Sequence, residues 1–360
     1  VNAGSSSLKL SVLGPDDQLL MATELPLDDP ASMGDVLEEA LRDTPAADAA
    51  GHRVVHGGAE FRRAVVLDDS SESRLARLAD LAPLHNPPAV AAIRRLQAIR
   101  PGLPEVACFD TAFHAGMPLE AATYALPDDW RGLGLRRFGF HGLSHAWSSR
   151  RAAELLGRPL SSLRLVTAHL GSGASLAAVA GGRSVDTTMG FTPLEGLVMA
   201  TRSGSVDPGV LVWVMRHEGL SVDDLEEALA RRSGLLGLSG VSGDLRLVLA
   251  AADGGDDRAA LAFGVYVHRL RAAVASMAAA MGGAEGLVFT GGAGEGSARL
   301  RREACAGLGF LGVALDQARN EAADGDAVVS ADGAGTAVVV VHAREDIEIA
   351  RQVRELLASP

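Results

Sequence analysis

Lone charged and hydroxyl-bearing residues set among glycines and apolar runs carry most of the reactive chemistry in this chain, and that chemistry points to anions. Asn2-Ala3-Gly4-Ser5-Ser6-Ser7-Leu8-Lys9 places a glycine and three hydroxyls ahead of a lysine. Backbone N–H groups and hydroxyls in such a turn can donate to phosphate oxygens. Lys9 adds a positive charge, and the Asn2 side-chain oxygen could face a hydrated Mg2+. The pattern G-x-x-x-x-G-K-[ST] is absent, and an ordinary hairpin turn is the plainer account of the run. His52-Arg53-Val54-Val55-His56-Gly57-Gly58 puts Arg53 inside an apolar, strand-like run. A guanidinium there needs an anion, either a ligand or a structural ion-pair partner.

Further polar residues stand where apolar runs end, in Pro83-Leu84-His85-Asn86-Pro87, in Phe109-Asp110-Thr111-Ala112-Phe113-His114, and from Arg137 to His145. Ligands of α/β sheets bind at the carboxyl ends of strands, which makes Asp110 a candidate. His141 and His145 are four apart, a spacing that could hold a metal, yet no His-Glu-x-x-His and no Cys partner accompany them. His145 reads instead as an early residue of the following helix. The segments from Ala168 to Ser175, Asp186 to Gly196 and Thr201 to Pro208 are dense in Gly, Ser, Thr and single charges and lack periodicity. Long irregular stretches of that kind in compact domains are usually functional. Arg202 is a second lone arginine, able to hold an anion bidentately, while Asp207 reads as a helix N-cap. Phe289-Thr290-Gly291-Gly292-Ala293-Gly294-Glu295-Gly296 reads as a strand, a glycine-rich turn and a helix start, where a ribose or phosphate can lie on bare backbone. Ser242-Gly243-Asp244-Leu245-Arg246 could contact the same ligand, and Glu345, at a strand-to-helix join, could reach a metal.

The elements that position these groups alternate between strand and helix, which indicates an α/β protein. Strands are expected over Leu8–Leu13, Glu105–Phe109, Leu163–Ala168, Ser175–Val179, Leu287–Thr290 and Ala337–His342. Asn86-Pro87-Pro88 followed by Ala89–Ile99 is expected as an N-capped helix with proline in the first turn, and Ser144–Leu156 as a helix with Gly157 as C-cap. Others run from Asp207-Pro208 to about His217, from a Ser221 cap, and over Glu345–Leu357. A weak internal repeat lays Gly4–Val12 over Gly171–Val179. Each copy is strand, Gly/Ser turn, strand, followed by a second glycine turn at Gly14 or at Gly181-Gly182. Two related halves facing each other across a cleft would follow. Val1-Asn2-Ala3-Gly4 reads as the middle of a strand-to-turn transition, as if a few strand residues preceded it.

At 360 residues the chain suits about two domains. Its 48% apolar content supports a real core, and the net charge of −12 argues against a nucleic-acid surface. Cys108 and Cys305 each lie in an apolar run and are expected as buried thiols in a reducing compartment. The longest helical candidate, Asp256 to Met281, is too polar for a membrane span, and no signal peptide is visible.

Together the motifs resemble the acetokinase family, within the actin, sugar kinase and Hsp70 fold group, in order and over nearly the whole chain from Asn2 to Glu345. The resemblance implies an α/β fold of two ribonuclease-H-like (actin-like ATPase) domains around a nucleotide-binding cleft. Residues 1–114 with 346–360 would form an acyl- and phosphate-binding domain closed by the C-terminal helix, and 115–345 a nucleotide-binding and dimerisation domain. It implies reversible, direct in-line phosphoryl transfer from ATP to acetate, giving acetyl phosphate and ADP, in a cytoplasmic homodimer that uses Mg2+, with Mn2+ as a substitute.

By the same resemblance, Asn2 and Glu345 stand around the metal, and Arg53 and Arg202 grip the phosphoryl group and the acetate carboxylate. His141 bonds the transition-state phosphoryl, and Asp110 is an essential acid. Val55, Leu84, Phe140 and Pro193 form the acyl pocket. Lys9, His169, Gly171, Ser172, Gly173, Asp244, Leu245, Arg246, Gly292, Ala293 and Gly294 meet the nucleotide, with Ser5, Ser7 and His85 in support. A carboxylate acceptor is already ionised near pH 7, since simple carboxylic acids titrate near ~4–5, so Asp110 is expected to position rather than to act as a base. The family usually carries Asn where Ser172 and Gly296 stand, Asp at Ser205, Ile at Ala293 and Asn at Arg344. A different phosphoryl donor such as pyrophosphate therefore stays open. So do a propionate or butyrate kinase and, more remotely, a non-catalytic nucleotide switch of the actin or Hsp70 type.

Overall fold

The structure, a computed structural model, describes residues 1–3, 7–26, 33–42, 44–82 and 85–358. The chain divides into two compact units. The first takes Val1–Gly116, Phe140–Trp147 and Arg344–Pro360, and the second takes Met117–Gly139 and Ser148–Ala343. Beside the stretches 1–114 and 346–360 expected from sequence, the first takes 115–116, Phe140–Trp147 and 344–345.

Among the described residues the first unit is built on six strands. β1 (Asn2–Ala3), β2 (Ser7–Leu13) and β3 (Leu19–Pro26) form an antiparallel meander with Asn2 opposite Lys9 and Lys9 opposite Glu24. β4 (Ala50–Val54) runs parallel to β6 (Glu105–Phe109), and β5 (Val65–Val66) lies antiparallel on the outer side of β6. Val1 joins the two groups. Its nitrogen donates to the Gly51 carbonyl at 2.7 Å, and its carbonyl accepts from the Arg53 N–H at 2.9 Å, the slanted pattern of parallel neighbours. The order is therefore β3-β2-β1-β4-β6-β5.

The second unit contains β7 (Arg164–Leu170), β8 (Ala174–Ala180), β9 (Arg183–Thr187), β10 (Gly286–Thr290), β11 (Ala327–Val328) and β12 (Ala337–Val340), in the order β9-β8-β7-β10-β12-β11. Here too the first three are an antiparallel meander, the next two run parallel to β7, and the last is antiparallel at the edge. The two orders and strand directions match one for one. The repeat expected from two Gly/Ser turns extends to whole sheets.

Residue patterns account for these elements. All five positions of β6 and of β10 are buried, as in parallel strands covered on both faces. The helix Asn86–Ile99 opens with Pro in its first turn and buries Ala89, Val90, Ile93 and Leu96 on one stripe; Asn86 is its first residue and not the expected N-cap, because its amide is taken by the His56 backbone. The helix Glu345–Ala358 places Ile349 and Val353 against Val106, Cys108 and Leu143. Asp207 accepts the Gly209 N–H ahead of the helix Pro208–Glu218, and Ser221 forms a capping box with Asp224. The helix Gly142–Leu155 starts two residues before the expected Ser144, because the His145 N–H already donates to the His141 carbonyl at 2.9 Å. After β10 the glycine-rich run is a short helix, Gly291–Gly296, rather than an open turn. Cys108 and Cys305 are free and buried. Among the described residues no helix is long and apolar enough to cross a membrane.

Candidate active site

In the first unit the parallel strands β4 and β6 end side by side, and their last residues carry the charges. The Asp110 N–H donates to the Val54 carbonyl at 3.0 Å, which fixes the buried carboxylate just beyond β6. Arg53 donates to it twice, from Nε to Oδ1 at 3.2 Å and from Nη2 to Oδ2 at 2.7 Å. The same Nε lies 3.5 Å from Oε2 of Glu345, the first residue of the closing helix. Burial works against the Arg53 charge, but Asp110 and Glu345 outweigh it and hold the guanidinium above its ordinary range. Of the two anions expected for Arg53, the structure supplies the ion-pair partner. Two carboxylates facing one guanidinium also leave an excess of negative charge, a setting that suits a cation.

His141 has a left-handed backbone, φ +56°. The next N–H, of Gly142, donates to the Asp110 carbonyl at 2.9 Å, and a Cβ at Gly142 would stand 2.1 Å from that oxygen. Only glycine allows this approach, which ties the His141 turn to the end of β6. Phe140 is buried with its carbonyl 3.0 Å from His114 Nε2 and its ring edge-on to His56 at 5.3 Å. Burial pushes the His114 pKa down to about 4 against the effect of that hydrogen bond, so it is neutral near pH 7. Val55, half-buried, follows β4. His85 sits at the N-cap position of Asn86–Ile99, and the Asn86 amide exchanges hydrogen bonds with the His56 backbone.

The opening motif is less clearly drawn to this site. Lys9 and Ser7 both reach Oε1 of Glu24 at 3.2 Å, on the exposed side of the meander. Asn2 lies on β1 next to the Val1 junction. Ser5 and Leu84, both singled out above, lie outside the described residues.

In the second unit three loops meet beyond β7. The Gly171-Ser172-Gly173 turn closes with a Gly171 N–H to Gly173 carbonyl bond at 2.9 Å, and the Ser172 carbonyl accepts the Ala200 N–H at 3.1 Å. A Cβ at Gly243 would come within 2.9 Å of the Ala200 carbonyl, so Ser242–Asp244 packs on the same residue. His169 Nε2 lies 3.5 Å from the place of a Gly171 Cβ. Gly291, at φ +78°, opens the short helix so close to Leu170 that a Cβ there would stand 2.9 Å from the Leu170 carbonyl, while Gly292 faces open space. Ala293 is half-buried and Gly294 buried in the short helix that follows. Asp244 caps the helix Leu245–Asp253 and pairs with Arg246 at 2.6 Å, a hydrogen bond that draws its pKa below the usual carboxylate value. Leu245 is buried.

Arg202 extends from the same loops. Its Nη1 donates to the Pro193 carbonyl at 2.9 Å and lies 3.7 Å from the Met199 sulfur. Among the described residues it has no carboxylate partner, and burial lowers its pKa. A half-buried guanidinium paired only to a carbonyl and a thioether is set to receive an anion.

Some residues that shape the site were not singled out from sequence. Tyr124, with Arg137 and Glu195, holds the loop that carries Pro193. Arg137 and Glu195 stood in noted runs, but nothing local distinguishes Tyr124. Glu295 accepts from the N–H groups of Gly291 at 2.8 Å and Ala343 at 3.0 Å and pairs with His342, and the buried Arg301 donates to the carbonyls of Gly294 and Glu295.

Two sheets of one strand order, each leading into glycine-rich turns and single arginines, define a duplicated α/β kinase of the actin-like ATPase class. The sequence profile of the Acetokinase family matches residues 31–351, and the chain belongs to that family. It is 52% identical over 307 residues to a Synechococcus protein named Acetate kinase, covering 85% of this chain and 76% of that one. The crystal structure of Porphyromonas gingivalis acetate kinase superposes with a TM-score of 0.92 at 37% identity, over 99% of this chain and 98% of that one. The structure of a Francisella tularensis propionate kinase superposes at 0.90 with 35% identity, over 99% and 98%.

Proposed function

We propose that this chain transfers the terminal phosphoryl group of ATP reversibly to acetate, giving acetyl phosphate and ADP. The observation that carries the reading is Arg202, a half-buried guanidinium beside Pro193 with no carboxylate of its own among the described residues. Such a group can hold the acceptor's carboxylate bidentately, with Pro193 of the same unit beside it.

The acetate oxygen forms a bond to the γ-phosphorus as the bond to the bridging oxygen of ADP breaks, and that electron pair leaves with ADP. No proton has to move, because the acceptor is ionised near pH 7. The barrier to lower is repulsion between anions on the way to a loose, in-line transition state. Arg53, aimed by its two bonds to Asp110, and Arg202 would supply positive charge, and His141 a hydrogen bond to a phosphoryl oxygen. Asp110 itself positions. The Gly171–Gly173 turn, His169, Gly292–Gly294 and Asp244 with Arg246 would receive the nucleotide. Inversion at phosphorus is the expected stereochemistry, and retention would replace this direct transfer with a two-step route.

The residues at the first unit's charged end fit Mg2+. Asn2 and Glu345 are hard oxygen donors, and Asp110 and Glu345 outnumber the one guanidinium between them. A divalent cation held there would screen the charge of the phosphates. Asn2 and Glu345 would hold it, with the remaining ligands from water and phosphate.

A second reading, propionate as acceptor, draws on the Francisella neighbour. One methylene in an apolar pocket is worth only about 1–3 kcal/mol, so the acids must be ranked directly. Trapping the acyl phosphate with hydroxylamine, with Mg-ATP and acetate, propionate or butyrate in competition, tests the proposal. Acetyl hydroxamate should dominate. Its absence would sink the reading, and a second series with pyrophosphate in place of ATP tests the donor against the small Ser172.

The proposal extends to a homodimer in the cytoplasm. The apolar helix Pro208–Glu218 buries none of its residues, which supports a second copy as its cover, and two free buried thiols support a reducing compartment.

A further inference from the structure

We infer that Tyr124, Arg137 and Glu195 are positioning residues for the acceptor side of the reaction, fixing the segment that presents Pro193 to Arg202. The inference rests on the assignment of Arg202 and Pro193 to the acceptor, and it concerns residues of the second unit alone.

The Glu195 carboxylate is shared. Oε2 accepts the Tyr124 hydroxyl at 2.7 Å, and Oε1 accepts Arg137 Nη2 at 2.8 Å. The Tyr124 oxygen in turn accepts the Phe191 N–H at 2.8 Å. The other guanidinium arm of Arg137, Nη1, donates to the carbonyls of Thr188 and Met189 at 3.1 and 3.0 Å. The segment 188–195 is therefore held at both ends by three side chains that touch one another. Its middle is held as well, since the Phe138 N–H donates to the Gly190 carbonyl at 3.0 Å. Gly190 has no room for a side chain, because a Cβ would stand 2.2 Å from the Tyr124 oxygen and 1.8 Å from Glu195 Oε2.

Pro193 lies inside this held segment, and its carbonyl is the one hydrogen-bond acceptor for Arg202 among the described residues that is an oxygen. A second tie runs from the same segment to the arginine's own loop, for Ser205 Oγ accepts the Gly196 N–H at 3.1 Å and the Ser205 N–H donates to the Gly196 carbonyl at 3.0 Å. The aim of the Arg202 guanidinium is thus set by the Pro193 carbonyl, and the place of that carbonyl is set by Tyr124, Arg137 and Glu195. None of these bonds reaches the Gly171–Gly173 turn or the Gly291–Gly296 helix. The set should act on acceptor binding and leave nucleotide binding alone.

The test is steady-state kinetics of the full-length Tyr124→Phe enzyme with acetate and Mg-ATP varied in turn, beside Arg202→Ala. Losing the shared hydroxyl should raise KM for acetate about tenfold, as for one buried hydrogen bond, with KM for ATP unchanged. Glu195→Gln keeps the side-chain volume and should show the same split, so an unstable Tyr124→Phe protein would not block the measurement. If Arg202→Ala impairs use of acetate while both other variants leave KM for acetate unmoved, or raise both KM values together, the positioning role is overturned and the acceptor assignment survives. If Arg202→Ala leaves acetate kinetics untouched, the acceptor assignment fails and this inference falls with it.

Discussion

Arg53 in the first unit and Arg202 in the second are held by opposite means, and the difference has measurable consequences. Arg53 is compensated by Asp110 and Glu345, whereas Arg202 touches only a carbonyl and a sulfur. Removing either electrostatic donor should cost on the order of 10²–10³ in turnover. Their effects on stability should diverge. Arg53→Ala leaves the Asp110 carboxylate buried and unanswered by its guanidinium, a loss of about 2 kcal/mol when Arg53 itself is one-fifth exposed. Arg202→Ala removes a charge that nothing offsets, so its melting temperature should match or exceed the parent's. Initial rates and thermal unfolding of both variants check this, and full turnover in Arg202→Ala would take that residue out of the chemistry. Beside Arg53 lies a second buried pair, His52 Nε2 to Glu105 Oε2 at 2.7 Å, with Glu105 Oε1 unpartnered. Desolvation pushes Glu105 up to about 7 and keeps His52 uncharged. Between the unfolded carboxyl value, near ~4.5, and about 7 the native state holds a proton that the unfolded chain has lost. The contribution of Glu105 to stability must therefore fall as pH rises through that window. The stability of the parent relative to Glu105→Gln, followed by denaturant titration, should decline from pH 5 to pH 7.5, and a flat difference would contradict the assignment of that proton.

At the scale of the element, the join between β6 and the helix Gly142–Leu155 decides whether His141 and Asp110 stay in register. The Gly142 N–H bonds the Asp110 carbonyl at 2.9 Å, and a methyl group there would lie 2.1 Å from the same oxygen. Gly142→Ala must push the helix start away from the strand end. A displacement near 1 Å in a reacting group costs on the order of 10² in rate. The variant should remain folded, with circular dichroism like the parent's, and should lose activity by about that factor; full activity would show that the His141 turn needs no such register. The sequence made much of this element-level order legible. The fully buried β6 and β10, the proline-led helix at Asn86 and the Asp207 and Ser221 caps stand where local pattern put them, because each depends on neighbours within a few residues. The two Gly/Ser turns likewise disclosed the repeated meander. What local pattern could not disclose was pairing across distance. The two backbone bonds from Val1 to Gly51 and Arg53 make one six-strand order out of two groups, and no spacing rule announces them. Lys9 and Ser7 show the same limit. Both suit phosphate by type, but the register that sets Glu24 opposite Lys9 is a property of the β2–β3 hairpin and not of the motif. Tyr124 was invisible for a related reason, since its partners Phe191 and Glu195 lie far along the chain.

Across the whole molecule, duplication gives each unit a sheet that can close its own core, and the family's two-part architecture follows from repeating one strand order. One surface in the second unit is apolar and exposed. The helix Pro208–Glu218 is written Pro-Gly-Val-Leu-Val-Trp-Val-Met before its first charge, yet Val210, Val212 and Trp213 are exposed and no residue of the helix is buried. The next helix, Val222–Arg231, also buries nothing and exposes Val222. Apolar helices earn their place by burial against something, and the face with Val210, Val212 and Trp213 is left exposed among the described residues. A second copy is the occupant that the proposed homodimer supplies. A stable pairing needs about 800 Å² from each partner, an area two adjacent helices can provide. Trp213 is the natural anchor, a large ring stacked on His217 at 4.3 Å and open on its other side to solvent. Replacing it with aspartate places a charge where a dimer would exclude water. Sedimentation velocity at micromolar concentration should show the parent at twice the chain mass of 37.1 kDa and Trp213→Asp at that mass alone. The circular dichroism of the variant should be unchanged, because the ring is exposed and its stacking partner, His217, stands on the same helix. A parent protein that sediments as a single chain would leave this helix without its proposed cover and end the dimer assignment, while a Trp213→Asp protein that stays paired would move the interface elsewhere.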